Sequence, residues 1–229
     1  RAVTPRIDHL VVAARTLEEG VAWCETTLGV TPGPGGEHPL YGTHNRLLRL
    51  ESGTTPAAYL EIIAINPRAT PTQGGDRRRW NDLDDPAMQA RLAQHGPQLV
   101  HWVAAVPDIG AAVQALQAIG IQRGPVITAS RQTPQGLLQW RISVRDDGQR
   151  LFDGALPTLI QWGDVHPADT MPASGLALQS LTLSHPDATG LQQALDAIGL
   201  DPRAVAPGPA ALTALLDTPL GPRTLTSAI

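Results

Sequence analysis

Two histidines stand inside apolar, β-branched runs, His9 within Ile7 to Ala13 and His101 within Leu99 to Val106. A third run, Ala58 to Ile65, carries Glu61 as its lone charge, and a fourth, Leu156 to Trp162, is interrupted by Gln161. An ionised carboxylate in a buried strand needs a metal, a cation or a hydrogen-bond network around it. Two imidazoles, a carboxylate and an amide oxygen would suit a divalent metal such as zinc, nickel, iron or manganese, and would leave coordination positions for water and substrate. His9, Glu61, His101 and Gln161 are therefore the candidate metal ligands. Either histidine alone reads as a core residue bonded to backbone. Their matching places in a repeated segment favour a shared site.

The repeat positions them. Ile7 to Val30 reads as strand, capped helix and closing glycine, and the pattern returns at Leu99 to Ile121 and, eroded, at Leu178 to Leu200. In the first copy Thr16 to Glu19 spells a capping box, the stripe Leu17, Val21, Cys24 and Leu28 has helical spacing, and Gly29 ends the helix. Asp108 and Asp187 open the two later helices. Further strands are expected at His44 to Leu50, Ala58 to Ile65, Pro125 to Ser130, Leu137 to Val144 and Leu156 to Trp162, with a weak one between Gly29 and Leu40. The fold class is α+β, with β-α-β-β-β modules at 1–66 and 98–166, a linker at 67–97 and a partial β-α-β-β module at 174–229. Ser180 takes the histidine slot in the third copy, which places the site between the first two.

The 229 residues suffice for a sizeable core. One cysteine rules out an internal disulfide and Cys/His zinc ribbons, and Cys24 lies on a core stripe. The net charge is −4, and every basic residue is arginine, which argues against a nucleic-acid surface. The run Arg77 to Arg79 has Asp76, Asp82, Asp84 and Asp85 beside it and reads as a self-neutralising surface. No apolar run reaches membrane-span length and no signal peptide opens the chain, so a soluble, cytoplasmic protein without a membrane partner is expected, as monomer or homodimer. Walker, dinucleotide-binding, nucleophile-elbow and C-x-x-C motifs are missing, so no nucleotide cofactor is expected. Trp102, Trp140 and Trp162 serve either as core or as an aromatic wall. Arg141 either faces the cavity, to pair with Glu61 or a substrate carboxylate, or forms a salt bridge at the sheet edge. His38, His95, His166 and His185 fall in loop or capping contexts.

With D-H-L in the first strand and Y-L-E in the fourth, the paired modules resemble the vicinal oxygen chelate superfamily of glyoxalase I, extradiol dioxygenases and antibiotic-resistance proteins. Gly42-Thr43-His44-Asn45, Tyr59-Leu60-Glu61 and the segment Pro157 to Asp164 with His166-Pro167 resemble, more narrowly, bacterial glyoxalase-like domain proteins. The resemblance implies metal ligands at His9, Glu61, His101 and Gln161, and His44 with Asn45 lining the cavity beside the substrate. The expected function is binding of a small polar or oxygen-rich ligand between two modules. Three classes follow: a metal-dependent lyase, isomerase or dioxygenase in which Glu61 or a bound water moves a proton; a non-catalytic binding protein for an antibiotic-like molecule; or a metal-free enzyme using His44, Glu61 and Arg141. Asn45, Trp102, Arg141 and Trp162 are the expected substrate contacts.

Overall fold

A computed structural model describes residues 4–69, 78–200 and 204–228. The first module runs β1 (Arg6–Ala13), α1 (Leu17–Leu28), β2 (Glu37–His38), β3 (Thr43–Leu50) and β4 (Ala58–Ile65). After a connection containing α2 (Pro86–His95), the second runs β5 (Gln98–Ala105), α3 (Ile109–Ala118), β6 (Val126–Thr133), β7 (Gly136–Ser143) and β8 (Thr158–Trp162). The weak strand expected in the first copy is β2, two residues long.

The two modules share one eight-stranded sheet in the order β2-β3-β4-β1-β5-β8-β7-β6. Its centre is the antiparallel pair of the two first strands, β1 and β5, each flanked by the parallel last strand of its own module. All four central strands are rich in Val, Ile, Leu and Ala because both faces are covered.

Capping starts the helices where the sequence says it should. The Thr16 hydroxyl accepts from the Glu19 amide, Asp108 from Ala111 and Asp187 from Gly190. Gly29, at φ 74°, closes α1 in the left-handed conformation that a side chain disfavours.

The third unit is β9 (Ala177–His185), α4 (Ala188–Ala197), β10 (Val205–Pro207), β11 (Ala211–Thr218) and β12 (Gly221–Thr226). It has one strand more than the two expected after the helix, and it pairs differently. The order β10-β9-β11-β12 places its first strand beside its second and third. Leu181, Leu183, Leu191, Leu195, Leu212 and Leu216 join the helix-side core that also holds Leu10, Cys24, Leu60 and Trp102. The third unit thus backs the large sheet on the side away from its other face, where Val11, Ile63, Val103, Ile142 and Ile160 form a second cluster.

Alternation along the strands decides which side chains can meet. Two β-bulges modify it. Between β1 and β5, Ile7 pairs with Ala104 and His9 with Val103, so Asp8 is the extra residue in β1. Val11 pairs with His101 and Val12 with Leu99, so Val100 is the extra residue in β5. Each bulge immediately precedes one of the two strand histidines. A bulge re-aims neighbouring side chains, which lets Asp8 and His9 reach each other although they are consecutive in a strand.

Helix α1 supports β4 through close contact at Gly20. A Cβ there would lie 2.5 Å from Ile62 Cγ2 and 3.2 Å from Ala14 Cβ. Gly20→Ala is expected to destabilise the protein, because overpacking of about 1–3 kcal/mol exceeds the roughly 1 kcal/mol gained in helix propensity. A lower urea midpoint at unchanged slope checks this; a raised midpoint would mean the helix can shift away freely.

Candidate active site

The cavity side of the eight-stranded sheet encloses a space of about 440 Å³ between the two modules. Its floor carries His9, Asn45, Tyr59 and Glu61, with His38 beside them; its walls include Trp80, Trp140, Trp162, Ile127 and Ile142.

Asp8 is fully buried and accepts three hydrogen bonds: from His9 Nδ1 at 2.7 Å, His166 Nε2 at 2.8 Å and Trp162 Nε1 at 2.8 Å. Burial pushes its pKa up, but the hydrogen bonds from His166 and His9 and their attraction outweigh it, holding the carboxyl well below the usual range. The Ala168 amide donates to His166 Nδ1, so His166 presents its Nε2 proton to Asp8. His9 in turn carries its proton on Nδ1, and its ring stacks on Tyr59 with centroids 4.3 Å apart. Its Nε2 stands 3.7 Å from Glu61 Oε1. That is beyond hydrogen-bonding range, so Nε2 and Oε1 both remain available to a ligand.

Glu61 is fixed from its other oxygen. The Gly36 amide donates to Asn45 Oδ1 at 2.8 Å, which orients the Asn45 amide, and Asn45 Nδ2 then donates to Glu61 Oε2 at 2.6 Å. Asn45 Nδ2 also lies 3.2 Å from His38 Nε2, and His38 Nδ1 is 2.9 Å from the Thr43 hydroxyl, which accepts from Trp80 Nε1. This chain makes His38 a neutral ring with its proton on Nδ1. Burial, which pushes its pKa down, acts the same way.

The second module answers differently. His101 Nδ1 donates to the Gly154 carbonyl at 2.8 Å, while Nε2 accepts from the Thr158 amide at 3.2 Å and meets its hydroxyl at 2.9 Å. Both ring nitrogens are engaged, so His101 is a satisfied core histidine, held neutral by burial and by the nearby Arg123. Gln161 is not the counterpart of Glu61. His9 pairs with Tyr59, two residues before Glu61, and β5 pairs Val103 with Thr158. The corresponding place is Thr158, an odd number of residues from Gln161, and the two side chains therefore point to opposite faces. Gln161 Oε1 instead accepts from the Ile109 amide at the start of α3.

The four proposed metal ligands are thus not brought together: His9 and Glu61 adjoin each other, His101 has no free nitrogen, and Gln161 lies on the far face. Among the described residues no cluster of three or more His, Cys, Asp or Glu side chains has metal-binding geometry. This donor set does not fit a resident metal.

Other expectations divide by strand parity. Asn45 and Trp162 line the cavity, and Trp140 joins Trp162 as an aromatic wall, ring centroids 5.7 Å apart. His44 precedes Asn45 and takes the opposite face, with Leu48 and Leu50 of the helix-side core. Trp102 is wholly buried in that core and donates to the Ala155 carbonyl. Arg141 pairs with Gln161 and is exposed outside the cavity. Cys24 is a core residue, its thiol pushed up to about 12 by burial.

Asp8, Tyr59, His38 and His166 were missed as site residues. Asp8 had a readable signal, a second ionisable residue beside a histidine in an apolar run. His38 and His166, expected in loop roles, had none, since their positions depend on long-range folding. The linker does more than connect: Trp80 stacks on Tyr41 and lines the cavity, and Arg79 pairs with Asp84 at 2.7 Å. Asp76 and Arg77 of the arginine-rich run lie outside the described residues.

A neutral, buried His101 makes a pH prediction. Unfolded histidines take up a proton near pH 6.5, and the folded protein resists doing so. Stability present above about pH 6.5 is therefore lost on acidification, by up to about 1.4 kcal/mol per pH unit for this group. His101→Gln, whose amide can both donate and accept, should flatten the decline of urea-unfolding free energy between pH 7 and 5. Some slope remains because His38 is shifted in the same direction. Parallel curves for the two proteins would contradict the buried-neutral assignment.

The chain is similar to several solved structures. A hypothetical protein from Staphylococcus aureus matches at 14% identity over 92% of this chain and 81% of that chain, with a TM-score of 0.58. A Streptomyces coelicolor methylmalonyl-CoA epimerase matches at 18% identity over 70% of this chain and 94% of that chain, TM-score 0.41, a likeness too loose to inform chemistry. A hypothetical protein from Bacillus halodurans matches at 12% identity, 70% and 94% coverage and a TM-score of 0.37. No curated protein sequence matches. Among the described residues no helix is long and apolar enough to cross a membrane. The family model for the glyoxalase-like domain matches residues 7–199, spanning both modules and the first strand and helix of the third unit. With that match over most of its length, the chain belongs to the glyoxalase-like domain family.

Proposed function

We propose that the chain is an enzyme that moves a proton at a carbon beside a carbonyl group in a small substrate, with Glu61 as the base and His9 as its partner. The observation that carries this reading is the convergence of two separately anchored groups on one cavity: Glu61 held by Asn45, and His9 held by Asp8. Paired acid–base groups with fixed orientation are what enolisation needs.

Glu61 Oε1, the oxygen not engaged by Asn45, takes the proton from carbon. The electron pair moves onto the carbonyl oxygen, and Glu61 returns the proton to the same or the adjacent carbon. His9 Nε2, turned inward by Asp8, accepts a hydrogen bond from a substrate hydroxyl or, once protonated, donates to the developing oxyanion. The Asp8 carboxylate, bonded at Nδ1, holds the ring's orientation through that step, as in other carboxylate-oriented imidazoles. The Tyr59 hydroxyl stays protonated, since burial and the Asp8 and Glu61 charges push its pKa far up, and it keeps His9 stacked in place. No step passes through a metal, because His101 and Gln161 are committed elsewhere. The metal-free reading thus keeps Glu61 but replaces His44 with His9.

The apolar walls favour one other reading, a binding protein that sequesters a small aromatic molecule without altering it. Proton exchange distinguishes the two. In D2O, with a panel of 2-oxo acids and hydroxyketones followed by proton NMR, the native protein should accelerate deuterium incorporation beside the carbonyl for at least one member. Glu61→Gln should slow that exchange by about 10²-fold or more. Exchange at the uncatalysed rate across the panel, or a Glu61→Gln variant as fast as the native protein, would leave only sequestration.

A further inference from the structure

The ionisable side chains around the cavity do not balance. Glu37 and Glu61 are its acids; Arg123, Arg131, Arg145 and Arg150 are its permanent cations. Arg145 is paired with Asp147 and Arg150 with Asp82, at 2.8 and 2.7 Å. The other two have no acidic partner among the described residues. Arg123 is 3% exposed, donates to the Pro157 carbonyl and the Thr158 hydroxyl, and leaves Nη1 without a hydrogen bond. Among the described residues the Arg131 side chain has neither a hydrogen-bond nor an ion-pair partner. Arg123 is built into the core, whereas Arg131 is free to serve a ligand.

Arg131 is also well placed. It pairs across β6 and β7 with Leu138, and residues directly opposite in a ladder share a face, here the cavity face. Its side chain crosses from the second module to the first, where a Cβ on Gly36 would collide with its Nη1. Gly36 is the residue whose amide orients Asn45, and Asn45 holds Glu61. The guanidinium therefore sits at the end of the hydrogen-bond chain that fixes the base. Trp80, Trp140 and Trp162 line the same cavity. An unpaired guanidinium is a bidentate receptor for a carboxylate, and tryptophan walls suit a flat apolar body.

We propose that the substrate is a carboxylate with an apolar, aromatic-sized body, and that Arg131 holds its charged group at the cavity mouth while the body lies against the tryptophans. This deepens the proton-transfer reading and rests on it for the word substrate: Arg131 of one module would present the anion to Glu61 of the other. It also moves to β6 the carboxylate-holding role expected of Arg141.

Binding of phenylacetate and of its neutral analogue phenylacetamide, by titration calorimetry, tests the proposal. The native protein should bind phenylacetate about tenfold or more tightly than the amide. Arg131→Gln should remove that preference while leaving amide binding unchanged, and Arg131→Lys should restore part of it. Arg131 is exposed, so these variants fold, which their urea midpoints verify. Glu61→Gln should keep the preference, since it removes a base and not the receptor. Equal affinity for the two probes, no phenylacetate binding at millimolar concentration, or an undiminished preference in Arg131→Gln would each overturn the assignment. An intact preference without catalysed deuterium exchange would sink the proton-transfer reading alone; exchange without the preference would sink this one alone.

Discussion

A carboxylate taken wholly out of water must be held by donors on every side, and Asp8 is held by three: its neighbour His9, and Trp162 and His166 from the end of the second module. Losing a partner of such a buried charge typically costs about 3–5 kcal/mol, so the placement of Trp162, His166 and His9 is tied to the integrity of β1. The bulge at Asp8 is what makes the arrangement feasible, because regular alternation would send Asp8 and His9 to opposite faces. From that constraint the rest of the site follows: the His9 tautomer, the direction of Nε2, and a gap beside Glu61 that neither group closes for itself.

The duplication explains both what the site contains and what it lacks. Each module bulges one residue before its strand histidine, Asp8 in the first and Val100 in the second. Where the first has Asp8 and Glu61 around its histidine, the second has the Gly154 carbonyl and Thr158. One imidazole is thereby left between two carboxylates and open to a ligand, and the other is closed into the core. The second module's contribution is its walls and its arginines. The lining is asymmetric in charge: the first module brings the base, and the second brings two arginines, Arg123 and Arg131, without an acidic partner among the described residues.

Much of the fold was legible because it is periodic. Apolar runs, capping residues and closing glycines recur at each copy, and strands such as Ala58–Ile65 fall where the pattern puts them. Glu61 and His9 were legible for the same reason, as polar interruptions of buried strands. Gln161 was misassigned because loop variation hides register, and an odd-numbered error in a strand reverses the face. His44 against Asn45 and Arg141 against Arg131 show the same limit: the residue types were right for the chemistry, and parity decided which one reached the cavity. His38 and His166 lie in segments whose meaning depends on what folds over them, which no local pattern carries. The pairing of the third unit, β10 beside β9, was equally hidden, since sheet order is a property of long-range packing.

The central claim is that Asp8 fixes His9 with its proton on Nδ1 and Nε2 facing Glu61. Long-range proton–nitrogen correlation NMR of the imidazole rings reads this directly. The account predicts a His9 ring that carries its proton on Nδ1, hydrogen-bonded to Asp8. A His9 ring with a bare Nδ1 and its single proton on Nε2 would contradict it, because Asp8 could not then be the group that aims the imidazole into the cavity.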